Sequence, residues 1–190
     1  MRALRILILL VFLPAGLGLL IQAADPALSL TVSHISGAQR LLSLSLALFC
    51  PELAHMAIVD LNNIAAVAEL QEDSRLRHFS KVTVSTVVLE AVGFYAALVS
   101  LQWGVIAIIF SQLWFNLLAG IHLWPGQSPP ITPHGISDRR AVLIANGLGL
   151  GLISLWPLQA VRIWLAAGLF TLITLFLVIK YGWQRVEQAR

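Results

Sequence analysis

The sequence predicts an all-α membrane protein: one compact bundle of about six transmembrane helices, with both termini on the cytoplasmic side. Hydrophobic residues make up 58% of the 190-residue chain and charged residues only 11%. A soluble domain usually carries about 25% charged residues. Several uncharged apolar runs are long enough to cross a hydrocarbon core of about 30 Å as helices. The alternating strands of a membrane β-barrel are not apparent in the sequence.

Six apolar segments define the predicted spans, and together they make residues 1–190 a single transmembrane domain. The distribution of basic residues supports this count. With the N-terminus inside, ten basic residues fall in inner segments and only Arg40 and Arg162 in outer ones, as the positive-inside rule expects. Removing one span would reverse the side of every later segment and so mix the basic residues between the two sides. The spans lie at about 6–23, 41–61, 82–100, 103–123, 141–158 and 162–180.

The first span has a second interpretation. Arg2 and Arg5 precede an apolar run that ends near Ala23, which is also the pattern of a secretory signal peptide. Because the run is long for a signal, we expect an uncleaved anchor. Cleavage would leave the orientation of the other five spans unchanged.

Ionisable and amide side chains lie in one layer of the predicted bundle. Counting about 1.5 Å per residue from the inner ends of the spans, Glu52 lies about 12 Å deep and Glu90 about 13.5 Å deep. His55, Gln112 and Asn116 lie between about 7.5 and 15 Å deep by the same count. Charged groups inside a membrane are costly and often functional. Glu52, His55, Glu90 and Asn116 are therefore candidates for an ion or proton site in which the two glutamates act as a coupled pair. The alternative is that each glutamate is neutral and only bonds a neighbouring helix.

Helical spacing predicts which way the third and second spans face. Small and polar residues recur along one side of the third span, so we expect Glu90 to be buried and bonded to a neighbouring helix. On the second span a stripe of small residues lies opposite Glu52, so that helix should contact neighbours on two sides or turn at Pro51. The two stripes are Thr83, Thr86, Glu90, Gly93, Ala97 and Ser100, and Ala47, Cys50, Ala54 and Ala57.

Proline and glycine mark packing positions and connections. Pro51 interrupts the hydrogen bonding of the second span, and Gly147 with Gly151 forms a G-x-x-x-G motif that predicts close helix packing. Residues 124–140 contain four prolines, which predicts an extended, irregular inner connector or docking strip. In the other inner loop, 62–81, the first part can continue the second helix.

The sequence identifies no cofactor. Glu52 and His55 match the Glu-x-x-His spacing of di-iron bundles, but such sites need that motif twice, so we expect no metal. A haem or chlorin needs axial histidines, for which His55 and His122 are the candidates. Their predicted depths differ, and hydrogen bonding is the better interpretation for both. The single Cys50 rules out an intrachain disulfide and a cysteine zinc cluster.

Three functions remain open, and none of them is favoured by a catalytic motif. There is no nucleophile elbow and no phosphate-binding loop, so an enzyme is not favoured, and scattered basic residues argue against nucleic-acid binding. The leading hypothesis is an accessory, assembly or structural subunit of a larger complex in an energy-transducing or plasma membrane, with other membrane subunits as partners. The alternative is a small ion- or proton-coupled solute carrier using Glu52 and Glu90. The third is an intramembrane haem or metal redox protein.

Overall fold

Six α-helices dominate the computed structural model, which describes residues 2–24, 36–70 and 73–188. Five of the helices are long and apolar enough to cross a membrane. A short two-stranded sheet connects α4 to α5. The elements are α1 (Arg2–Ala24), α2 (Gly37–Ala68), α3 (Ser74–Val99), α4 (Leu101–Leu118), β1 (Ile121–Leu123), β2 (Ile131–Pro133), α5 (Arg140–Ser154) and α6 (Arg162–Gln188).

Side-chain caps explain why α2 and α3 are longer than the predicted spans 41–61 and 82–100. The Ser36 hydroxyl accepts from the Gln39 N–H at 3.3 Å, and the Gln39 side chain accepts from the Ser36 N–H at 2.9 Å. The Asp73 carboxylate likewise accepts from the Arg75 N–H at 2.7 Å. These bonds satisfy backbone donors that a helix start leaves unpaired. The predicted inner loop 62–81 is thus mostly helical, and the expected continuation of the second helix is confirmed as far as Ala68.

The predicted span 103–123 is wrong at its C-terminal end. The helix ends at Leu118, and Gly120 has a φ of +64°, a left-handed conformation typical of a helix stop. Residues 121–123 then pair antiparallel with 131–133, with Leu123 opposite Ile131. The predicted irregular connector 124–140 therefore contains part of a β-hairpin.

The fifth helix is shorter than the predicted span 141–158. It has 15 residues, which at about 1.5 Å per residue gives about 22 Å, less than a hydrocarbon core of about 30 Å. A turn and a short 3-10 helix, Gln159–Val161, follow it. The structure therefore has the six predicted helices, but five of them are long enough to span. The six-span topology stays a prediction.

The second helix is central to the bundle and packs against α1, α3 and α6. On one side the Cys50 thiol donates to the Phe12 carbonyl of α1 at 3.3 Å. On another side Glu52 accepts a hydrogen bond from Tyr181 of α6. The expectation that this helix contacts neighbours on two sides is confirmed.

Helices α3 and α4 approach each other most closely at glycines. A Cβ on Gly93 would lie 2.7 Å from a side-chain carbon of Ile108, and a Cβ on Gly104 would overlap Ala97. Small residues permit this close backbone approach. The predicted small and polar stripe of the third span is thus the face that packs against α4.

Three segments meet at one end of the molecule, which we call the hairpin end. Arg5 near the start of α1 donates to Asn62 of α2 at 3.2 Å, and His78 of α3 contacts the Leu118 carbonyl of α4 at 3.0 Å. Under the hairpin, a separate apolar cluster joins residues of both strands to α2 and α3. Three of the four segments predicted to be cytoplasmic therefore lie at one end, as that prediction requires: the N-terminal segment and the two inner connections.

Cysteine labelling tests which side of the membrane the hairpin end faces. In a Cys50→Ser background, Ser74→Cys or Ser128→Cys should resist membrane-impermeant thiol reagents in intact cells, because the charge distribution places both inside. Gln159→Cys is the control: this exposed residue lies in the connection after α5, predicted to be outside, and should react. Labelling at position 74 or 128 would overturn the topology.

Candidate functional site

A cavity of about 890 Å³ lies among α2, α3, α4, α5 and α6. Ligand sites in proteins usually have volumes of about 300–1,000 Å³ and mostly apolar walls with a few placed polar groups. This cavity fits that description. Its polar lining residues are His55, Asp60, Thr83, Thr86, Glu90, Gln112, Asn116 and Asn146, and the others are aliphatic, aromatic or methionine side chains.

Glu90 is the most deeply placed acid of the cavity. Its side chain is 4% exposed and accepts a hydrogen bond from Nε2 of Gln112 on α4. Both the expected burial and the expected partner on a neighbouring helix are confirmed. On the same helix face, the hydroxyls of Thr83 and Thr86 donate to carbonyls of their own helix at 3.0 and 2.8 Å. Both hydroxyls line the cavity wall, but their hydrogens are already donated to carbonyls of α3.

Two other predicted site residues also line the cavity. His55 lies on its α2 wall and Asn116 on its α4 wall, where Asn116 donates to the Gln112 carbonyl at 2.7 Å. Asp60 and Asn146 were not among the predicted site residues, although the sequence has them at or inside the spans. The buried Nδ2 of Asn146 has no hydrogen-bond partner among the described residues.

Glu52, the remaining predicted site residue, lies elsewhere. It is 3% exposed and accepts from the Tyr181 hydroxyl, at the contact between α2 and α6. It is not among the residues that line the cavity. The structure therefore brings Glu90, His55 and Asn116 to one cavity and gives Glu52 a partner on another helix. Coupling between Glu52 and Glu90 stays a prediction.

Arg139 links the hairpin to the end of α4. It is 6% exposed and donates to the carbonyls of Phe115 and Ile121 at 3.2 and 3.0 Å, with its guanidinium 5.4 Å from the Phe115 ring centroid. A cation suits the carbonyl-bearing C-terminal end of α4. Burial lowers the pKa of Arg139, whereas the nearby carboxylates of Asp60 and Asp138 favour its charged form. The sequence showed Arg139 only as one of the inner basic residues.

His122 belongs to the hairpin and not to the predicted fourth span. It is exposed on β1, with its ring centroid 4.3 Å from Trp124 and 5.6 Å from His134. Partial burial lowers the pKa of His122, and the neighbouring His134 and Arg139 lower it further. The two haem candidates thus occupy different settings: His55 on the cavity wall, His122 on the hairpin. Among the described residues, no group of three or more His, Cys, Asp or Glu could hold a metal ion.

The predicted packing glycines of α5 lie on an uncovered face. A Cβ on Gly147 or Gly151 would meet no atom within 4 Å, whereas a Cβ on Gly149 would lie 3.1 Å from Ile109 of α4. In the described part of the chain, close packing of α5 is made by Gly149, and the contacts predicted for Gly147 and Gly151 are not made. Pro51 is exposed on α2, and the helix continues through it.

No protein-family model, curated protein or solved structure matches the chain. The chemistry of the cavity follows from its own residues. Two carboxyl groups, three amides and one imidazole can exchange a proton, hold a cation or bind a polar group. The apolar walls can accommodate a hydrocarbon body.

Proposed function

We propose that this protein is a small solute carrier whose substrate binds in the cavity among α2 to α6. Glu90 is the carboxyl group that holds the coupled ion or proton. The observation that carries the proposal is the cavity itself, with a buried carboxyl group in a largely apolar wall. An acid buried among helices that are apolar enough to cross a membrane is costly to maintain. Helix packing alone does not require an open space beside it.

The helix contacts also suit a carrier. Helices α5 and α6 both line the cavity, yet α5 packs mainly on α4 and α6 mainly on α2, with at most marginal contact between α5 and α6 themselves. Most of the apolar part of α6 is uncovered by the other helices. The boundary between α5 and α6 is therefore the route by which a solute reaches the cavity with the least loss of packing.

A second candidate is the accessory or structural subunit, and the uncovered face of α5 favours it. Gly147 and Gly151 lie four residues apart with open space before them, and such a pair lets another helix approach closely. Other membrane proteins are the partners this face would take. The redox alternative lacks comparable support, since His55 and His122 lie in different parts of the described structure.

Two phenylalanine substitutions on the same helix separate the two candidates. Ala145 lines the cavity, whereas Gly147, two residues away, does not. Ala145→Phe should place a ring in the cavity between α5 and the opposite wall. It should largely abolish solute-dependent proton movement into proteoliposomes, measured with an entrapped pH-sensitive dye. Small amphipathic amines, alcohols and carboxylates are added in turn. Gly147→Phe should leave that proton movement unchanged.

The opposite pattern would contradict the carrier. If Ala145→Phe transports as well as the unaltered protein, the cavity is not the substrate path. If Gly147→Phe instead removes a membrane protein that co-purifies with the unaltered chain, while Ala145→Phe does not, the subunit is the better interpretation.

A further inference from the structure

The charges around the cavity favour one class of substrate, an inference that rests on the proposed carrier function. The lining has two acids, Asp60 and Glu90, and no Lys or Arg among the described residues. Asp60 is close enough to Arg139 to favour the charged form of that guanidinium. One of the two acids thus has a basic neighbour at the hairpin end of the cavity, and Glu90 lies deeper among the helices.

Glu90 has hydrogen-bonding capacity beyond its one partner. Gln112 is the single donor that the described residues supply to it, and a carboxylate can accept roughly four hydrogen bonds. Close to Gln112, the Nδ2 group of Asn116 donates to the Gln112 carbonyl and not to Glu90. A substrate that carries hydrogen-bond donors can therefore bind to the acceptor positions of Glu90 that the described residues do not use.

The remaining walls accommodate an apolar body. Phe49 of α2 and Phe176 of α6 line the cavity and meet edge to face, with ring centroids 6.3 Å apart. Aliphatic residues such as Leu53, Ile109 and Leu172 complete these walls. A strongly hydrated ion would gain little from such a surface, whereas a hydrocarbon or aromatic group would be removed from water or from lipid into close contact.

We propose that the cavity binds an amphipathic organic monocation, with its ammonium group donating to Glu90 and its apolar body against α2 and α6. Opposite charges attract more strongly in a site of low dielectric than in water. The Glu90 carboxylate would repel an anion of equal shape. A neutral analogue would keep the apolar contacts but lose the charge-assisted hydrogen bond.

Three probes of matched size test this assignment on the purified full-length protein in lipid nanodiscs. They are phenylbutylammonium, phenylbutanol and phenylbutyrate, and equilibrium dialysis measures their binding against empty nanodiscs. The ammonium compound should bind about tenfold more tightly than the alcohol, equal to about 1.4 kcal/mol. The carboxylate should bind most weakly.

Two variants assign the preference to the cavity acid. Glu90→Gln should lower the affinity for the ammonium compound to about that for phenylbutanol and so remove the preference. The control is Glu69→Gln, at an exposed acid that does not line the cavity, and it should keep the preference. If Glu90→Gln does not fold, the three probes on the unaltered protein still decide the question.

The outcomes distinguish this inference from the carrier proposal. Equal binding of the ammonium compound and the alcohol would overturn the cation assignment. If that alcohol binding is lost in Ala145→Phe, the cavity remains a solute site and the carrier proposal stands. Absence of binding by all three probes would overturn the cation assignment, and absence of solute-dependent proton movement would overturn the carrier as well.

Discussion

Adding a single methyl group at Gly104 should destabilise the bundle, because α3 and α4 leave no space for a Cβ there. The added atom would overlap the Cα and backbone nitrogen of Ala97, which cannot rotate away as a flexible side chain can. Overpacking of this kind costs about 1–3 kcal/mol or more. Because the overlapped atoms belong to the backbone, the upper part of that range, about 2–3 kcal/mol, applies here. Alanine gains about 1 kcal/mol of helix propensity over glycine, so Gly104→Ala should be destabilising by about 1–2 kcal/mol in total.

Gly147→Ala is the matched control for this substitution. Its Cβ would enter open space, so the propensity gain has no opposing clash and the variant should be neutral or slightly stabilised. Reversible unfolding in mixed detergent micelles measures both free energies of unfolding. Equal stability of the two variants would mean that α3 and α4 do not approach as closely as the structure shows.

The sequence located the helices well and their ends poorly. Apolar runs identify only the part of a helix that lipid or protein covers, whereas α2 and α3 begin at the polar caps Ser36 and Asp73. Hydropathy also did not indicate the end of α4 at Leu118, since Ile121 and Leu123 continue the apolar run beyond it. A strand of three residues is too short for its alternation to be recognised.

Helical periodicity predicted the part of the candidate site that lies on the third span. The small and polar stripe of the third span correctly placed Glu90 inside, because helical neighbours share one face. The predicted depth of Glu52 in the membrane did not show whether its side chain would line the cavity. Leu53 lines the cavity and Glu52 does not, although their depths are nearly equal, because adjacent helical residues point about 100° apart.

Hydropathy and helical spacing did not predict the contacts between segments that are distant in the sequence. Nothing local indicates that Arg139 would bond to carbonyls at the end of α4 and in β1, or that Gln112 rather than Asn116 would donate to Glu90. The Tyr181 partner of Glu52 is 129 positions away along the chain. Such pairings depend on how the helices rotate and dock, which hydropathy and spacing do not determine.

Glu90→Gln should abolish solute-dependent proton movement in proteoliposomes, whereas Glu52→Gln should retain it at a reduced rate. Glutamine keeps the size of the side chain but cannot exchange a proton, and Glu90 is the acid that lines the cavity. Glu52 instead accepts from Tyr181. A glutamine there can still accept through its neutral amide oxygen, so Glu52→Gln should weaken the docking of α6 against α2 without removing this hydrogen bond. Tyr181→Phe removes the donor and should slow the flux at least as much as Glu52→Gln.

The same three variants test whether Glu52 and Glu90 act as one coupled pair. Coupled acids must lie within about 4–6 Å of each other, and loss of either would then stop proton movement. If Glu52→Gln abolishes the flux as completely as Glu90→Gln while Tyr181→Phe leaves it intact, the two carboxyl groups share one site. Separate roles require that Glu52→Gln slows the flux no more than Tyr181→Phe does, and that both variants leave its dependence on the solute unchanged. Folding is controlled by the elution volume of each variant, since glutamine preserves the volume of a buried glutamate.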